Sequence, residues 1–195
     1  MVQSSEGVWE TVSPSRAADP EEAHWVARAR AGDSTGHRWL LERYRARVVR
    51  LAAHVLRRPD EAEDVAQEAF VRAFRKLPSF RAEGRFQAWL FAIVVRTCQD
   101  RCRLARWNAE VAFEPREDTT FQRGPAEEVD TRLLVEALLD QLSPVMRATL
   151  VLRELEGLEY DEIARALEVP VGTVRSRLST ARARFRELWT EAMRE

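Results

Sequence analysis

Arginine side chains dominate the last part of the chain, where their placement suits contact with a nucleic acid. Five arginines and no acidic residue occur from Val169 to Arg186, both ends included. Arginines can reach phosphates and guanine edges, and small residues let a helix enter a major groove. We predict a DNA-binding helix here, although an exposed basic helix without a DNA partner would carry the same pattern. At about 100° per residue, the face opposite the apolar stripe carries small residues with arginines on both flanks: Ser176, Ser179, Thr180 and Ala183.

A second basic cluster, interleaved with aromatic rings, lies in the first half of the chain. Six arginines occur between residues 81 and 106, opposed mainly by Glu83 and Asp100. Basic side chains can follow the backbone of a single strand while rings stack on unpaired bases. The pattern would also arise if the rings belonged to a core and the arginines were merely solvated. The candidate binding residues are Phe80, Arg81, Arg85, Phe86, Arg96 and Arg103.

No set of residues is spaced for catalysis. His24, His37 and His54 are scattered, and neither a nucleophile–histidine set nor a phosphate-binding glycine loop occurs. Cys98 and Cys102 lie at i, i+4. A two-thiol metal or redox site is possible there, but no histidine is near in sequence, so two incidental thiols are favoured. We therefore expect a protein that is not an enzyme, with no metal and no cofactor.

The helix that organises the chain is predicted over residues 59–77. Pro59 and four acidic residues in the first turns are typical of a helix N-terminus. Apolar residues recur at i, i+3, i+4, i+7 and form one stripe. The opposite face is either solvated around one exposed valine or a docking face for another protein. That face consists of Asp64, Gln67, Glu68, Val71 and Arg75.

The same periodicity predicts further helices on both sides of an irregular stretch. Proline and glycine interrupt the pattern over residues 105–126. Beyond it, a short helix from Tyr160, a turn over 169–172 and a long basic helix beginning at Thr173 form a helix-turn-helix layout. Four helices are predicted before the irregular stretch: 20 to about 31, 33/34 to about 57, 59 to 77, and about 86 to 104. Four more are predicted after it: 127 to about 142, 144 to 155, 160 to 168, and 173 to about 189.

The predicted fold is all-α, with two small helical domains joined by a flexible linker. The domains are a flexible tail (1–18), a first domain (19–105), a linker (106–126) and a helix-turn-helix domain (127–195). The net charge of −1 means that any basic surface is local. The chain has no apolar run of 18 residues, no signal-like N-terminus and only two cysteines. We therefore expect a cytoplasmic protein without membrane insertion.

Two stretches of the sequence resemble one family of bacterial proteins. EAEDVAQEAFVRAF followed by FQAWLFAI resembles region 2 of the extracytoplasmic-function (ECF) sigma factors. DEIARALEVPVGTVRSRLSTARARF resembles region 4 of the same family. The two matches cover about residues 20–104 and 127–190, in the order that the family has them. The fourth helix departs from the family at Arg96, where asparagine is usual.

The resemblance implies a partner for each surface. The organising helix is expected to dock on the clamp helices of the polymerase β′ subunit, with Asp64, Gln67 and Glu68 facing polymerase. The loop 78–86 and the helix after it are expected to capture the unpaired −10 strand. The family also implies contact with the β flap and an anti-sigma factor as partner. For the −35 element the expected residues are Thr173, Arg175, Ser176, Arg177, Ser179, Thr180 and Arg182.

The resulting hypothesis is a promoter-specificity subunit that binds core RNA polymerase and promoter DNA. One rival is a free-standing helix-turn-helix regulator, which would bind paired half-sites as a dimer. A second rival is an interaction module that holds a regulator without initiating transcription. Neither rival needs both the docking face and the basic-aromatic loop, so the first domain favours the promoter-specificity hypothesis.

Overall fold

The computed structural model describes residues 19–80, 85–101 and 127–194, and every regular element in these ranges is a helix. The prediction of an all-α fold with two helical domains is confirmed. The predicted tail (1–18) and linker (106–126) lie outside the described residues. The first domain contains α1 (Pro20–Arg30), α2 (Ser34–Leu56), α3 (Pro59–Lys76), a 3₁₀ turn (Leu77–Ser79) and α4 (Phe86–Arg101). The second contains α5 (Glu127–Asp140), α6 (Pro144–Leu150), a π-helical turn (Val151–Leu155), α7 (Tyr160–Leu167) and α8 (Val171–Ala192).

Helix α2 is the centre of the first domain, because α1, α3 and α4 all pack against it. One apolar stripe on each helix faces this centre, as the sequence period requires. Removing these side chains from water supplies the main favourable free energy of folding. The buried stripes include Leu40, Val48 and Leu51 of α2, Val65 and Ala69 of α3, and Leu90 and Val94 of α4.

The sequence predicts most of the helix starts from their capping residues. The carboxylate of Asp19 accepts a hydrogen bond from the backbone N–H of Glu21 at 3.1 Å. Asp33 does the same for Thr35 at 2.8 Å, and the Ser143 hydroxyl accepts from Met146 at 3.4 Å. Each bond satisfies an N–H group that has no partner inside its own helix.

Two boundaries in the second domain differ from the prediction. Helix α8 begins at Val171 after Pro170 as N-cap, so Thr173 lies within the first turn and does not cap the helix. Proline can precede a helix because its backbone is already extended there and its missing N–H costs nothing. The helix predicted for 144–155 ends as an α-helix at Leu150 and continues as a π-helical turn.

The π-helical turn closes on a left-handed glycine. The backbone N–H of Glu156 donates to the carbonyl of Val151 at 3.0 Å, five residues back. The N–H of Leu158 then donates to the carbonyl of Leu152 at 2.9 Å. Gly157 between them has φ of +66°, a conformation that side chains with a Cβ rarely adopt. The carbonyls of Glu156 and Gly157 accept hydrogen bonds from side chains of the first domain, Gln87 at 2.6 Å and Arg85 at 3.2 Å.

The second domain encloses its own small core and then packs against the first. Helix α8 lies on α6 and α7, with Val174, Leu178 and Ala181 buried between them. Helix α7 packs along α4, and α6 packs against α2. The sequence predicts two domains joined by a linker, and the structure adds a direct contact between them. No helix in the described ranges is long and apolar enough to cross a membrane.

Candidate polymerase and nucleic-acid interfaces

The N-terminal half of α8 presents the surface that the helical rotation predicts. Arg175, Ser176, Ser179 and Thr180 are exposed, whereas the stripe containing Val174 and Leu178 is buried. The Ser176 and Thr180 hydroxyls donate to carbonyls one turn back, at 3.0 and 3.1 Å. Their oxygens can still accept hydrogen bonds, so a short polar surface remains between the arginines.

Arg182 is more restrained than the sequence predicts. Its Nε and Nη2 atoms both donate to one carboxylate oxygen of Glu154, at 2.9 and 2.6 Å. Burial disfavours its charge, but hydrogen bonds to Glu154 and Tyr160 outweigh burial and raise the pKa of Arg182. The guanidinium therefore stays charged and is held against the π-helical turn. Thr173 and Arg177, the two other predicted contact residues, are half-buried.

The outer face of α3 is open along its length. Asp64, Gln67, Val71 and Arg75 are exposed, and the Val71 side chain is 49% accessible. Glu68 is half-buried and pairs with Arg72 at 2.6 Å. This arrangement fits both alternatives, a solvated face with one exposed valine and a small docking surface with an apolar centre and a polar rim.

The aromatic rings of the basic-aromatic loop are core residues in this structure. Phe80 and Phe86 are 6% and 3% accessible, so the expectation that they are open for base stacking is not met. The Phe80 ring centroid lies 4.9 Å from that of Trp89, and Phe86 lies 5.5 Å from both Trp89 and Tyr44. These rings fill the space between α2, the 3₁₀ turn and the start of α4. Exposing them would lose the free energy gained by burying their apolar surface.

The basic residues of the same surface are engaged by the second domain. Arg85 Nη1 donates to the carbonyl of Gly157 at 3.2 Å and lies 3.5 Å from the Glu162 carboxylate. Arg96 pairs with Glu168 at 2.8 Å. The remaining two residues of the predicted −10 set, Arg81 and Arg103, lie outside the described residues.

A cleft of about 330 Å³ lies beside the contact between α4 and α7 at this surface. Its walls are basic on the first-domain side and mixed on the second-domain side. The residues lining it include Lys76, Phe80, Arg85, Trp89 and Arg96 on one side and Glu162 and Arg165 on the other.

Sequence reasoning missed the residues that hold the two domains together. Arg147 is completely buried and donates to the carbonyl of Val55 at 3.3 Å. Arg47 donates to the Glu156 carboxylate, and Gln87 donates to the Glu156 carbonyl. The only signal in the sequence is that Arg147 and Gln87 lie among apolar neighbours, which indicates burial but names no partner.

Two family models match successive parts of the chain. The model of sigma-70 region 2 matches residues 40–108, and that of sigma-70 region 4 matches residues 132–185. The chain is 32% identical over 182 residues to the RNA polymerase sigma-H factor of Pseudomonas aeruginosa, covering 87% of this chain and 94% of that protein. It is 34% identical over 169 residues to the ECF RNA polymerase sigma-E factor of Escherichia coli, covering 80% and 88%.

Solved structures of similar proteins share the fold. The chain resembles CnrH, solved in complex with the cytosolic domain of CnrY, with a TM-score of 0.64 and 25% identity over 87% of this chain and 97% of that one. It also resembles the sigma factor RpoE of Bartonella quintana, solved in complex with the anti-sigma factor NepR. That match has a TM-score of 0.59 and 25% identity over 78% and 96%.

Proposed function

Because the chain belongs to the ECF subfamily of sigma factors, which direct promoter-specific transcription initiation, we propose specific surfaces for polymerase, −35 and −10 contact. The exposed polar and basic face of α8 is the observation that carries the −35 assignment. Arg175, Ser176, Ser179 and Thr180 would meet the major groove of the −35 element. Arg175 is long enough to read a guanine edge or hold a phosphate, whereas the hydroxyls permit close approach.

The exposed face of α3 is the proposed docking surface for core polymerase. Val71 would enter an apolar site on the β′ clamp helices, with Asp64, Gln67, Glu68 and Arg75 around it. A further contact of the second domain with the β flap follows from family resemblance. With two modest contacts on one enzyme, the second forms at high effective concentration, so neither needs to be strong alone.

The basic surface around the start of α4 is the proposed site for the unpaired −10 strand. Opening the duplex costs about 1–2 kcal/mol per base-pair step, so the captured strand must gain compensating contacts. Arg81, Arg85, Arg96 and Arg103 would supply charge to its backbone. For Phe80 and Phe86 to stack on a base, the local ring packing would have to open, and both remain predicted contacts.

An anti-sigma factor is a proposed regulator, supported by a neighbouring sigma factor that was solved with one. Work on core polymerase and chromosomal promoters would place the chain in the cytoplasm. We propose no catalytic role, since the family consists of sigma factors and not of enzymes.

The test is in vitro transcription with bacterial core polymerase over a pool of genomic promoter fragments. Start sites that appear only with this chain would support the proposal and give its −10 and −35 sequences together. On such a promoter, Arg175→Ala should lower affinity between about 5- and 150-fold, the effect of losing 1–3 kcal/mol of base contact. It should also reduce the salt dependence of binding.

The matched control is Arg45→Ala, which removes an exposed arginine of α2 in the first domain. Equal affinity of wild type and Arg175→Ala would remove Arg175 from the −35 surface. If DNA binds but no start sites appear and no complex with core polymerase forms, the free-standing regulator becomes the better account.

A further inference from the structure

Arg182, in the middle of α8, is held by a carboxylate from another element of the second domain. Its Nε and Nη2 atoms donate to the same oxygen of Glu154, at 2.9 and 2.6 Å. The Glu154 side chain is 19% accessible and that of Arg182 is 38% accessible, so the pair is partly shielded from water. A second hydrogen bond joins Arg182 to the side chain of Tyr160, the first residue of α7. Because the guanidinium is planar and its donors point in fixed directions, these bonds restrict its orientation as well as its distance.

The turn that carries Glu154 has anchors of its own. Neighbouring Arg153 donates to the carbonyl of Leu158 at 2.8 Å and pairs with Glu159 at 3.0 Å. Its guanidinium also lies 5.0 Å from the centroid of the Tyr160 ring, which is within the range of a cation–π contact. These contacts tie the π-helical turn to the start of α7. The carboxylate that meets α8 is therefore presented by a restrained turn.

The pair of Glu154 and Arg182 adds a direction that the apolar contacts of α8 lack. Val174, Leu178 and Ala181 hold the helix against α6 and α7. Apolar burial is non-directional, so it does not by itself fix how the helix is rotated about its axis. A rotation would move Arg182 away from the carboxylate oxygen, and hydrogen bonds weaken steeply as their angles open. The pair therefore resists rotation of α8.

The same rotation decides where the proposed −35 surface points. Arg182 follows Arg175 by seven residues, which is close to two full turns, so both lie on one side of α8. Ser179 precedes Arg182 by three residues and is its neighbour on the helix surface. Binding groups must be held within about 0.5 Å and 10–20° of their working geometry. An anchor at Arg182 is thus placed to control the direction of Arg175 and Ser179.

We propose that Glu154 and Arg182 are positioning residues for −35 recognition, because their pair fixes the rotation at which the exposed face of α8 meets the base edges. The proposal rests on the −35 assignment above and takes Arg182 out of the predicted DNA contacts. A phosphate at Arg182 would have to displace Glu154 and leave a half-buried carboxylate unpaired, which is costly. Base contacts carry sequence information and phosphate contacts do not. Loss of the pair should therefore lower the preference for the −35 sequence more than the general affinity for DNA.

The test measures binding of the full chain, in complex with core polymerase, to two labelled promoter fragments by fluorescence anisotropy. One fragment carries the −35 element of a promoter found by transcription, and in the other an unrelated sequence replaces that element. The measured quantity is the ratio of the two affinities. A variant that only lowers the folded fraction lowers both affinities equally. A purely structural role would therefore leave the ratio unchanged.

Glu154→Ala and Arg182→Ala should each lower this ratio about fivefold or more, since one good base contact discriminates by at least that factor. The double variant should lower it no further, because either single change already breaks the pair. Circular dichroism establishes that the variants keep their helices, and Glu154→Gln, a milder change, should shift the ratio in the same direction. The matched control is Glu187→Ala, which removes one acidic charge and an ion pair with Arg184 that lies within α8. It should keep the wild-type ratio.

A direct phosphate contact at Arg182 predicts different results. Arg182→Ala would then weaken binding to both fragments equally and reduce the salt slope by about one. Glu154→Ala would strengthen binding to both fragments, because it would release Arg182 for the phosphate. Either result, or an unchanged ratio in both single variants, would overturn the proposal.

The same measurements separate this proposal from the −35 assignment on which it rests. If Arg175→Ala lowers the ratio and neither Glu154→Ala nor Arg182→Ala does, the −35 assignment stands and the positioning role is wrong. If the wild-type complex does not distinguish the two fragments, the −35 assignment fails and the positioning role fails with it.

Discussion

Truncating Val71 tests the polymerase-docking surface at its one apolar residue. Val71→Ala removes two methyl groups, and burying them is worth about 0.8 kcal/mol each. Because the side chain is 49% accessible, only about half of that value is still to be gained on docking, which leaves about 0.8 kcal/mol. We therefore expect the affinity for core polymerase to fall about fourfold. Val71→Asp should cost more, because it adds a charge that must lose water beside Glu68.

Fluorescence anisotropy of labelled chain titrated with core polymerase measures this affinity directly. Leu41→Ala is the matched control, since Leu41 is 36% accessible but lies on α2. Val71→Ala should not destabilise the fold, because alanine is the better helix former at a half-exposed position. If Val71→Ala binds core as wild type does, or if Leu41→Ala loses as much affinity, the assignment of this face is wrong.

Two further predictions concern the stability of the first domain and its contact with the second. A Cβ at Gly36 would lie 2.6 Å from the backbone nitrogen of Ala29, so Gly36→Ala should lower the free energy of unfolding by about 1–3 kcal/mol in urea titrations. Gly172→Ala is the control and should stabilise the protein, because nothing lies within 4 Å of the added Cβ. Equal effects of the two substitutions would contradict the close packing of α1 on α2. Burial lowers the pKa of His54 below its ordinary 6.5, so the unfolded chain binds more protons than the folded one and stability should fall as the pH drops below about 6.5. His54→Gln should flatten this dependence of the free energy of unfolding on pH. An unchanged slope would show that other groups cause it.

The spacing of apolar residues correctly predicted the exposed faces of single helices. On α3 and α8 the apolar stripe fixes the rotation, so the opposite face follows without knowledge of the neighbours. That is why Asp64, Gln67 and Val71, and on α8 Arg175 and Ser179, are exposed as expected. Their functional roles remain predictions, because exposure alone does not choose a partner.

The sequence could not decide between core and stacking roles for the loop aromatics. Phe86 packs on Tyr44, a residue of α2 that is far from it in sequence. No local sequence pattern predicts such a pairing. Arg47 and Glu156 are 109 positions apart, and the sequence likewise gives no sign that they are in contact. The π-helical turn adds to this difficulty, since one extra residue per turn breaks the period on which helix prediction depends.

The contacts between the two domains differ in what could replace them if the domains separated. Under the proposed −10 assignment, Arg85 and Arg96 would exchange carbonyl and carboxylate oxygens of the second domain for phosphate oxygens of DNA, so each guanidinium would keep an oxygen partner. The acidic groups they release, Glu162 and Glu168, differ in their cost: Glu168 is already exposed, whereas Glu162 also accepts the Glu159 N–H and keeps that partner. Glu156 and Arg47 have no such replacement and must regain water when the domains separate. The pair of Glu156 and Arg47 is therefore the most costly of these contacts to separate, whereas Arg85 and Arg96 are the donors for which DNA would compete under the proposed −10 assignment.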